Sequence, residues 1–298
     1  MPVDFTTLRL REYDASKILN NMLLDFPPNV DNKTGVIFDN KKIAQHHFCK
    51  VIIYDTGAVY FKGSLHKMYN SLKGVYAPNY NKKRLYSGFN GNEFTYENLC
   101  FVIRYLELLF GVDSSFFVLQ KIEIGLNLQT SVDPKNIISN LLESGGKKFE
   151  LKYEENFAQL VKEEYVLKIY NKGNQYGMNG NILRVEIKSK RMREFKAAGF
   201  KTLKDLTIKA LNKAILRLLN RWNNVLLYDC TINKNKLNKR QNIELENKFQ
   251  HSKYWISIKA NNKDTPKKKY LKMVEEFSAN IHKEIAIEIK NTNISHFN

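Results

Sequence analysis

The chain has 298 residues, 43% hydrophobic and 26% charged, a balance that excludes a disordered chain and allows a sizeable buried core. Lys and Arg outnumber Asp and Glu by 48 to 30, a formal charge of +18; such an excess repels itself unless a polyanion, commonly nucleic acid, offsets it, although a Lys- and Asn-rich proteome leaves the same mark. The three cysteines, Cys49, Cys100 and Cys230, are odd in number and far apart, which argues against a disulfide framework or a zinc site.

The opening MPVDFTTLRLREYD is charged and alternating, unlike a signal peptide. The longest apolar run, around Phe101 to Phe110, is interrupted by Arg104 and Glu107, so no membrane span is expected. These features predict a protein of a reducing cytoplasm.

In chain order, Phe5–Tyr13 reads as a strand and Ala15–Leu24 as a helix with apolar residues three and four apart, ended by Pro27-Pro28. A hairpin is predicted from His47–Tyr54 through Asp55-Thr56-Gly57 to Ala58–Lys62. Leu72–Asn92, rich in Tyr, Asn, Lys and Gly, reads as a long basic loop. A helix follows, with Thr95 as N-cap and Gly111 as its stop. VLQKIEIGLNLQ (118–129) alternates cleanly as a strand. Asp133-Pro134 opens a helix that Gly145-Gly146 closes, and Glu164–Tyr170 and Ile182–Lys188 are further alternating strands. A long helix is expected over Leu203–Trp222, then a strand over Asn224–Asp229. After Cys230 the composition turns polar and basic, and an amphipathic helix near Tyr270–Ile287 completes a smaller helical module. The expected organisation is an α+β domain over 1–231, with mostly antiparallel strands flanked by helices, and a mostly helical module over 232–298.

Period-two geometry places Glu123 and Asn127 on one polar strand face, Lys168 and Tyr170 with Lys172 just beyond on a second, and Arg184, Glu186 and Lys188 on a third. On neighbouring strands, such a set suits phosphodiester chemistry. Carboxylates can hold a hard cation, a tyrosine hydroxyl can attack phosphorus, and a lysine can stabilise developing charge. Any antiparallel sheet with one wet face shows the same alternation, so a purely structural role stays open. His66 follows a strand and a glycine and is a further metal-ligand candidate, open also to an ordinary surface role. His46 and His47 are adjacent and, on a strand, would face opposite ways. The sequence has no P-loop, GxSxG elbow or HExxH helix. In and just before the long loop, Tyr69, Tyr76, Tyr80 and Tyr86 interleave with Lys73, Lys82, Lys83 and Arg84, the composition that single-stranded nucleic acid asks for, unless the tyrosines pack on the core.

Four ordered segments over residues 58–230 resemble the replication initiators of filamentous phages and related plasmid and phage Rep proteins of the HUH-endonuclease superfamily. They are VYFKGSLHKMYN with FNGNEFTYENL, then QKIEIGLNLQT, VLKIYNKGNQY, and ILRVEIKSKRMREFKAAGFKTLKDL. The resemblance implies a palm-like or RRM-like HUH core. Tyr170 matches the nucleophilic tyrosine and Lys172 its companion, while Glu123 and Glu186 match acidic positions that bind metal; His66 and Asn127 complete the candidate ligand set. The chain departs from the superfamily in having Glu123, Gly125 and Asn127 where a His-x-His is expected, a set suited to Mg²⁺ or Mn²⁺.

What the resemblance implies is a metal-dependent, site-specific nick in one strand at a plasmid or phage origin, starting rolling-circle replication in a bacterial cytoplasm. DNA, single-stranded or as an origin hairpin, would be the partner, contacted by Lys82, Lys83, Arg84, Arg184 and Lys188, with host helicase and polymerase and without membrane or small-molecule substrate. A conjugative relaxase and a non-catalytic binding protein, such as a repressor or a decayed initiator, are the alternatives.

Overall fold

The computed structural model describes residues 2–28, 30, 34–35, 40–83 and 85–295. The chain forms two compact units, one built from Met1–Gly125 and Lys188–Ala214, the other from Leu126–Ile187 and Ile215–Ser295.

The first strand, β1 (Val3–Leu10), is followed by α1 (Ala15–Leu19), whose first turn is capped by Asp14 accepting from Ser16 N at 3.0 Å. The helix expected to reach Leu24 stops at Leu19. Asn21 Oδ1 accepts from Leu23 N at 2.9 Å and Asn21 Nδ2 donates to Leu109 O at 3.0 Å, a local alternative to continuing the helix.

Strands β2 (Lys41–His46), β3 (Cys49–Tyr54) and β4 (Val59–Ser64) form successive hairpins. The first hairpin was not expected, because its turn is His47-Phe48 with φ of 47° and 61°. Both central residues take the left-handed conformation that Asn-Gly usually supplies, so the usual signal is missing. Between the predicted hairpin and the loop predicted over Leu72–Asn92, the chain forms a helix that was not expected, α2 (Leu65–Leu72), capped by Ser64 accepting from Lys67 N at 3.1 Å. Residues 73–94 hold no helix or strand among the described residues, and α3 (Tyr96–Phe110) follows with the expected Thr95 cap and left-handed Gly111.

β5 (Phe117–Gln129) is the long alternating strand expected. The helix after Asp133 ends early, as α4 (Pro134–Ser139), and Leu141–Ser144 is a strand, β6. Gly145 and Gly146 both have positive φ (55° and 75°) and close a tight turn in which Ser144 N donates to Lys147 O at 2.9 Å. The Gly pair therefore closes a β-turn and not a helix. β7 (Glu150–Lys152) and β8 (Phe157–Val161) were not expected; Tyr153, Glu154 and Glu155 turn between them with φ of 51°, 52° and 65°. Then come β9 (Tyr165–Asn171), the short α5 (Lys172–Tyr176) and β10 (Ile182–Ser189). The predicted Leu203–Trp222 helix is a 3-10 turn, Leu203–Asp205, and then α6 (Ile208–Asn223), followed by β11 (Val225–Leu227). Beyond lie α7 (Lys239–Glu244), α8 (Ser252–Ser257), α9 (Asp264–Phe277) and α10 (Ile281–Ser295). The single helix expected over Tyr270–Ile287 is broken between α9 and α10, where Asn280 has φ of 57°.

In the first unit the strand order is β2-β3-β4-β1-β5, and in the second β5-β10-β9-β8-β7 with a separate β11-β6 pair; β5 and β10 run from one unit into the other. The paired strands with described register are antiparallel, as expected for the α+β class.

In the first unit α2 packs on β1 and β4, burying Leu8, Phe61, Leu65 and Met68. In the second, Leu237, Leu245, Phe249, Trp255, Tyr270 and Met273 cluster with Leu142 of β6 and Leu226 of β11. Tyr270 Oη donates to Leu227 O at 2.8 Å and accepts from Asp229 N at 2.9 Å, while Asp229 Oδ2 accepts from Ile281 N at 2.8 Å, starting α10. No helix among the described residues is long and apolar enough to cross a membrane.

Candidate active site

In the second unit, β9 and β10 are neighbours, and their alternation brings Lys168, Tyr170, Arg184 and Glu186 into direct contact. Glu186 is the centre: 1% exposed, it accepts from Lys168 Nζ at 2.8 Å on Oε1. Its Oε2 accepts from Arg184 Nε at 2.9 Å and from the Tyr170 hydroxyl at 3.3 Å. Arg184 Nη1 reaches on to Asn127 Oδ1 at 3.0 Å. Burial of a carboxylate is tolerable here because cations and hydrogen bonds meet both oxygens.

Tyr170 is half-buried, and its ring lies 5.7 Å from that of Phe157, its partner across β8 and β9. Lys172 is not on the strand but opens α5, where Asn171 Oδ1 caps the turn by accepting from Asn174 N at 2.9 Å. This folds the Lys172 stem inward, 1% exposed, with its ammonium 5.3 Å from the Tyr170 ring centroid and 4.8 Å from that of Tyr176. Gly173 permits the turn, since a Cβ there would meet Gly180 O at 3.0 Å. The two other tyrosines of this segment are poorer nucleophile candidates. Tyr165 is buried with Arg221 stacked 4.0 Å over its ring, and Tyr176 is buried against Lys172.

Glu123, His66, Lys82, Lys83 and Lys188 lie in the first unit. Glu123 pairs with Lys188 Nζ at 3.3 Å. His66 is neither on a loop nor at the surface. It is 5% exposed in the first turn of α2, with Nε2 2.8 Å from Asn92 Oδ1 and its ring stacked on Phe94 at 4.5 Å. Lys82 and Lys83 are exposed in the 73–94 segment, while Arg84 lies outside the described residues. Arg184, expected to contact DNA, is 4% exposed and engaged with Glu186 and Asn127. His46 and His47 do not face opposite ways: His47 belongs to the turn, and the two rings are 4.5 Å apart. Burial and the neighbouring His47 lower the pKa of His46 to about 4, and its Nε2 lies 2.7 Å from the Tyr105 hydroxyl.

The carboxylates expected to hold Mg²⁺ or Mn²⁺ are therefore already engaged by cations, Lys188 on Glu123 and both Lys168 and Arg184 on Glu186. Among the described residues no three His, Cys, Asp or Glu side chains gather to hold a metal ion. As arranged, this donor set does not fit a bound divalent cation. Of this set Tyr170 and Lys168 keep partial exposure, so a phosphate can approach the tyrosine hydroxyl beside the Lys168 ammonium, whereas Arg184, Lys172 and Glu186 are buried. Phe157, whose ring lies beside Tyr170, was not singled out from sequence; only pairing across β8 and β9 places it there.

Fold and site together define an antiparallel α+β protein carrying a tyrosine–carboxylate–cation cluster. No known protein-family pattern matches the chain, and no curated protein matches it. A solved structure of a rolling circle replication initiator protein from Geobacillus stearothermophilus is similar, with a TM-score of 0.39 and 13% identity, covering 80% of this chain and 89% of that chain.

Proposed function

We propose that the chain is a replication initiator that nicks one DNA strand through Tyr170. The observation that carries the reading is the Tyr170 hydroxyl donating to the buried Glu186, between Lys168 and Arg184. Tyr170 Oη attacks phosphorus and its proton passes to Glu186. The P–O3′ bond breaks, the leaving oxygen takes a proton from solvent water to become a 3′-hydroxyl while Glu186 returns its proton to solvent, and the 5′-phosphate stays on the tyrosine. Lys168 and Arg184 offset the charge that develops on the phosphate oxygens. Lys172 positions the Tyr170 ring. Attack by the new 3′-hydroxyl on the phosphotyrosine reverses the reaction and rejoins the strand.

The reading extends to a plasmid- or phage-borne origin in a bacterial cytoplasm, where host helicase and polymerase extend the freed 3′ end, with chemistry in residues 1–231 and accessory contacts in 232–298. Lys82, Lys83 and Arg84 are proposed to lie along the DNA, and Asn127 orients the Arg184 guanidinium of the site. One observation favours a non-catalytic DNA-binding protein instead: the cations that hold both carboxylates also make a surface for phosphate.

One experiment decides between them: incubation with supercoiled plasmid carrying the chain's own gene region, followed by denaturing electrophoresis. Open circles with protein covalently at a 5′ end support the initiator reading. Retarded but intact plasmid supports the binding protein.

A further inference from the structure

The first unit carries a second built surface on the face of its sheet opposite the one α2 covers. Its strands are in close register. Thr7 of β1 is paired with Lys62 of β4 on one side and with Lys121 of β5 on the other, and Lys50 of β3 is paired with Lys62. Three lysines thus share one cross-strand row, with only the small Thr7 between Lys62 and Lys121. Two residues along β4 stands Tyr60, whose neighbour on β1 is Arg9. Because strand side chains alternate, Tyr60 and Lys62 point to the same side, while Val59 and Phe61 fill the core.

The face is concave and aromatic as well as basic. A cleft of about 440 Å³ is lined by Phe5, Tyr54, Tyr60, Lys62, Lys121 and Lys188, among others. Tyr54 and Tyr60, both partly exposed, meet edge to face at 5.5 Å. The Lys62 ammonium is 5.5 Å from the Tyr60 ring centroid, and the Lys188 ammonium is 5.9 Å from that of Phe5. The one carboxylate lining the cleft, Glu123, is already paired with Lys188.

Flat rings beside a row of ammonium groups, on rigid paired strands, match a polyanion whose repeating unit is itself flat. We propose that this cleft is a subsite for an unpaired nucleotide of single-stranded DNA, the base stacking on Tyr60 and the flanking phosphates lying along Lys62 and Lys121. The inference deepens the strand-nicking reading by naming where the unpaired strand is gripped, and it rests on that reading for the strand's identity. A duplex keeps its bases stacked on one another and cannot offer one to Tyr60, so the cleft selects unpaired DNA.

The test is equilibrium binding of the full-length protein to a labelled twelve-residue oligo(dT), to an abasic strand of equal length and charge, and to blunt duplex. None contains the origin, so nicking plays no part. The wild type binds oligo(dT) most tightly. Tyr60→Leu keeps bulk but removes the flat ring, and is expected to weaken oligo(dT) binding roughly tenfold, from the usual worth of one base–aromatic stack. It leaves the abasic strand unaffected, and Tyr60→Phe restores the preference. Lys62→Met and Lys121→Met weaken oligo(dT) and abasic strand together. If Tyr60→Leu binds oligo(dT) as the wild type does, or if duplex is preferred, the subsite is overturned. It is equally overturned if Tyr60→Leu changes the oligomeric state with oligo(dT) binding unaltered, which would mark the face as a contact with a second copy. Base-dependent binding lost in Tyr60→Leu while plasmid stays intact would leave the subsite standing and remove the nicking reading; nicked plasmid with no Tyr60 effect does the reverse.

Discussion

The Tyr170 hydroxyl donates to Oε2 of Glu186 across 3.3 Å, and the same oxygen accepts from Arg184 Nε at 2.9 Å. One buried carboxylate thus orients a hydroxyl that could attack and a guanidinium that could stabilise the charge it creates. Tyr170→Phe keeps the ring and its contact with Phe157 and loses the hydroxyl, with its hydrogen bond to Glu186. It is expected to abolish nicking and covalent capture while leaving DNA affinity within about twofold of wild type, because the cations that meet the phosphates are unchanged; twofold is about 0.4 kcal/mol. Mass spectrometry of the DNA-linked peptide checks it; an adduct persisting in Tyr170→Phe would move the nucleophile to Tyr165 or Tyr176.

Glu186→Gln retains the shape and removes the charge. Loss of the proton acceptor is expected to slow nicking by about 10²–10⁴-fold. Glu186→Ala goes further, leaving Lys168 and Arg184 without their shared carboxylate, and should lower stability by about 3–5 kcal/mol, as when one partner of a buried ion pair is removed. Single-turnover cleavage and urea unfolding separate the two effects. Normal cleavage by Glu186→Gln would take the proton-accepting role away from this residue.

Because Lys168 and Arg184 hold Glu186, a divalent cation must displace one of them to bind there. Lys168→Met should therefore bind Mn²⁺ more tightly than the wild type, read from the depletion of free Mn²⁺ by electron paramagnetic resonance. Equal affinities in the two proteins would place any bound cation away from Glu186.

The +18 charge predicts DNA binding that weakens steeply with salt. A protein making about six phosphate contacts loses roughly a thousandfold in affinity between 50 and 200 mM. Reversing the charges of Lys82, Lys83 and Arg84 together should flatten the slope of log K against log salt if they lie along the DNA. An unchanged slope would remove this segment from the interface, and a wild-type slope near zero would remove nucleic acid as the partner.

His46 is held neutral by burial and by His47, with a pKa of about 4 in the fold against the usual 6.5 or so. A depressed pKa gives stability that is present above the unfolded value and lost as pH falls, here from about 6.5 down through 4. The melting temperature should drop across that window. His46→Gln keeps a polar side chain near Tyr105 and should make the drop shallower. An identical pH profile in the variant would show that other groups govern acid stability.

The sequence alone determined features that depend on near neighbours. Alternation marked β5, β9 and β10, and the Thr95 and Gly111 caps bounded α3, because strand period and cap chemistry are set within a few residues. The polar faces carrying Tyr170, Lys168, Arg184 and Glu186 were readable for the same reason. Local rules failed where left-handed residues other than the expected glycines made turns, as at His47-Phe48 and Tyr153–Glu155. At Gly145-Gly146 they failed because a glycine pair ends a helix or closes a β-turn equally well. Only the tertiary structure decided that Glu186 is shared by Lys168, Arg184 and Tyr170, that His66 is buried against Phe94, and that Thr7 stands between Lys62 and Lys121. Each depends on which strands or helices meet and in what register. Pairing of that kind is selected by burial summed over distant segments, which no local window contains.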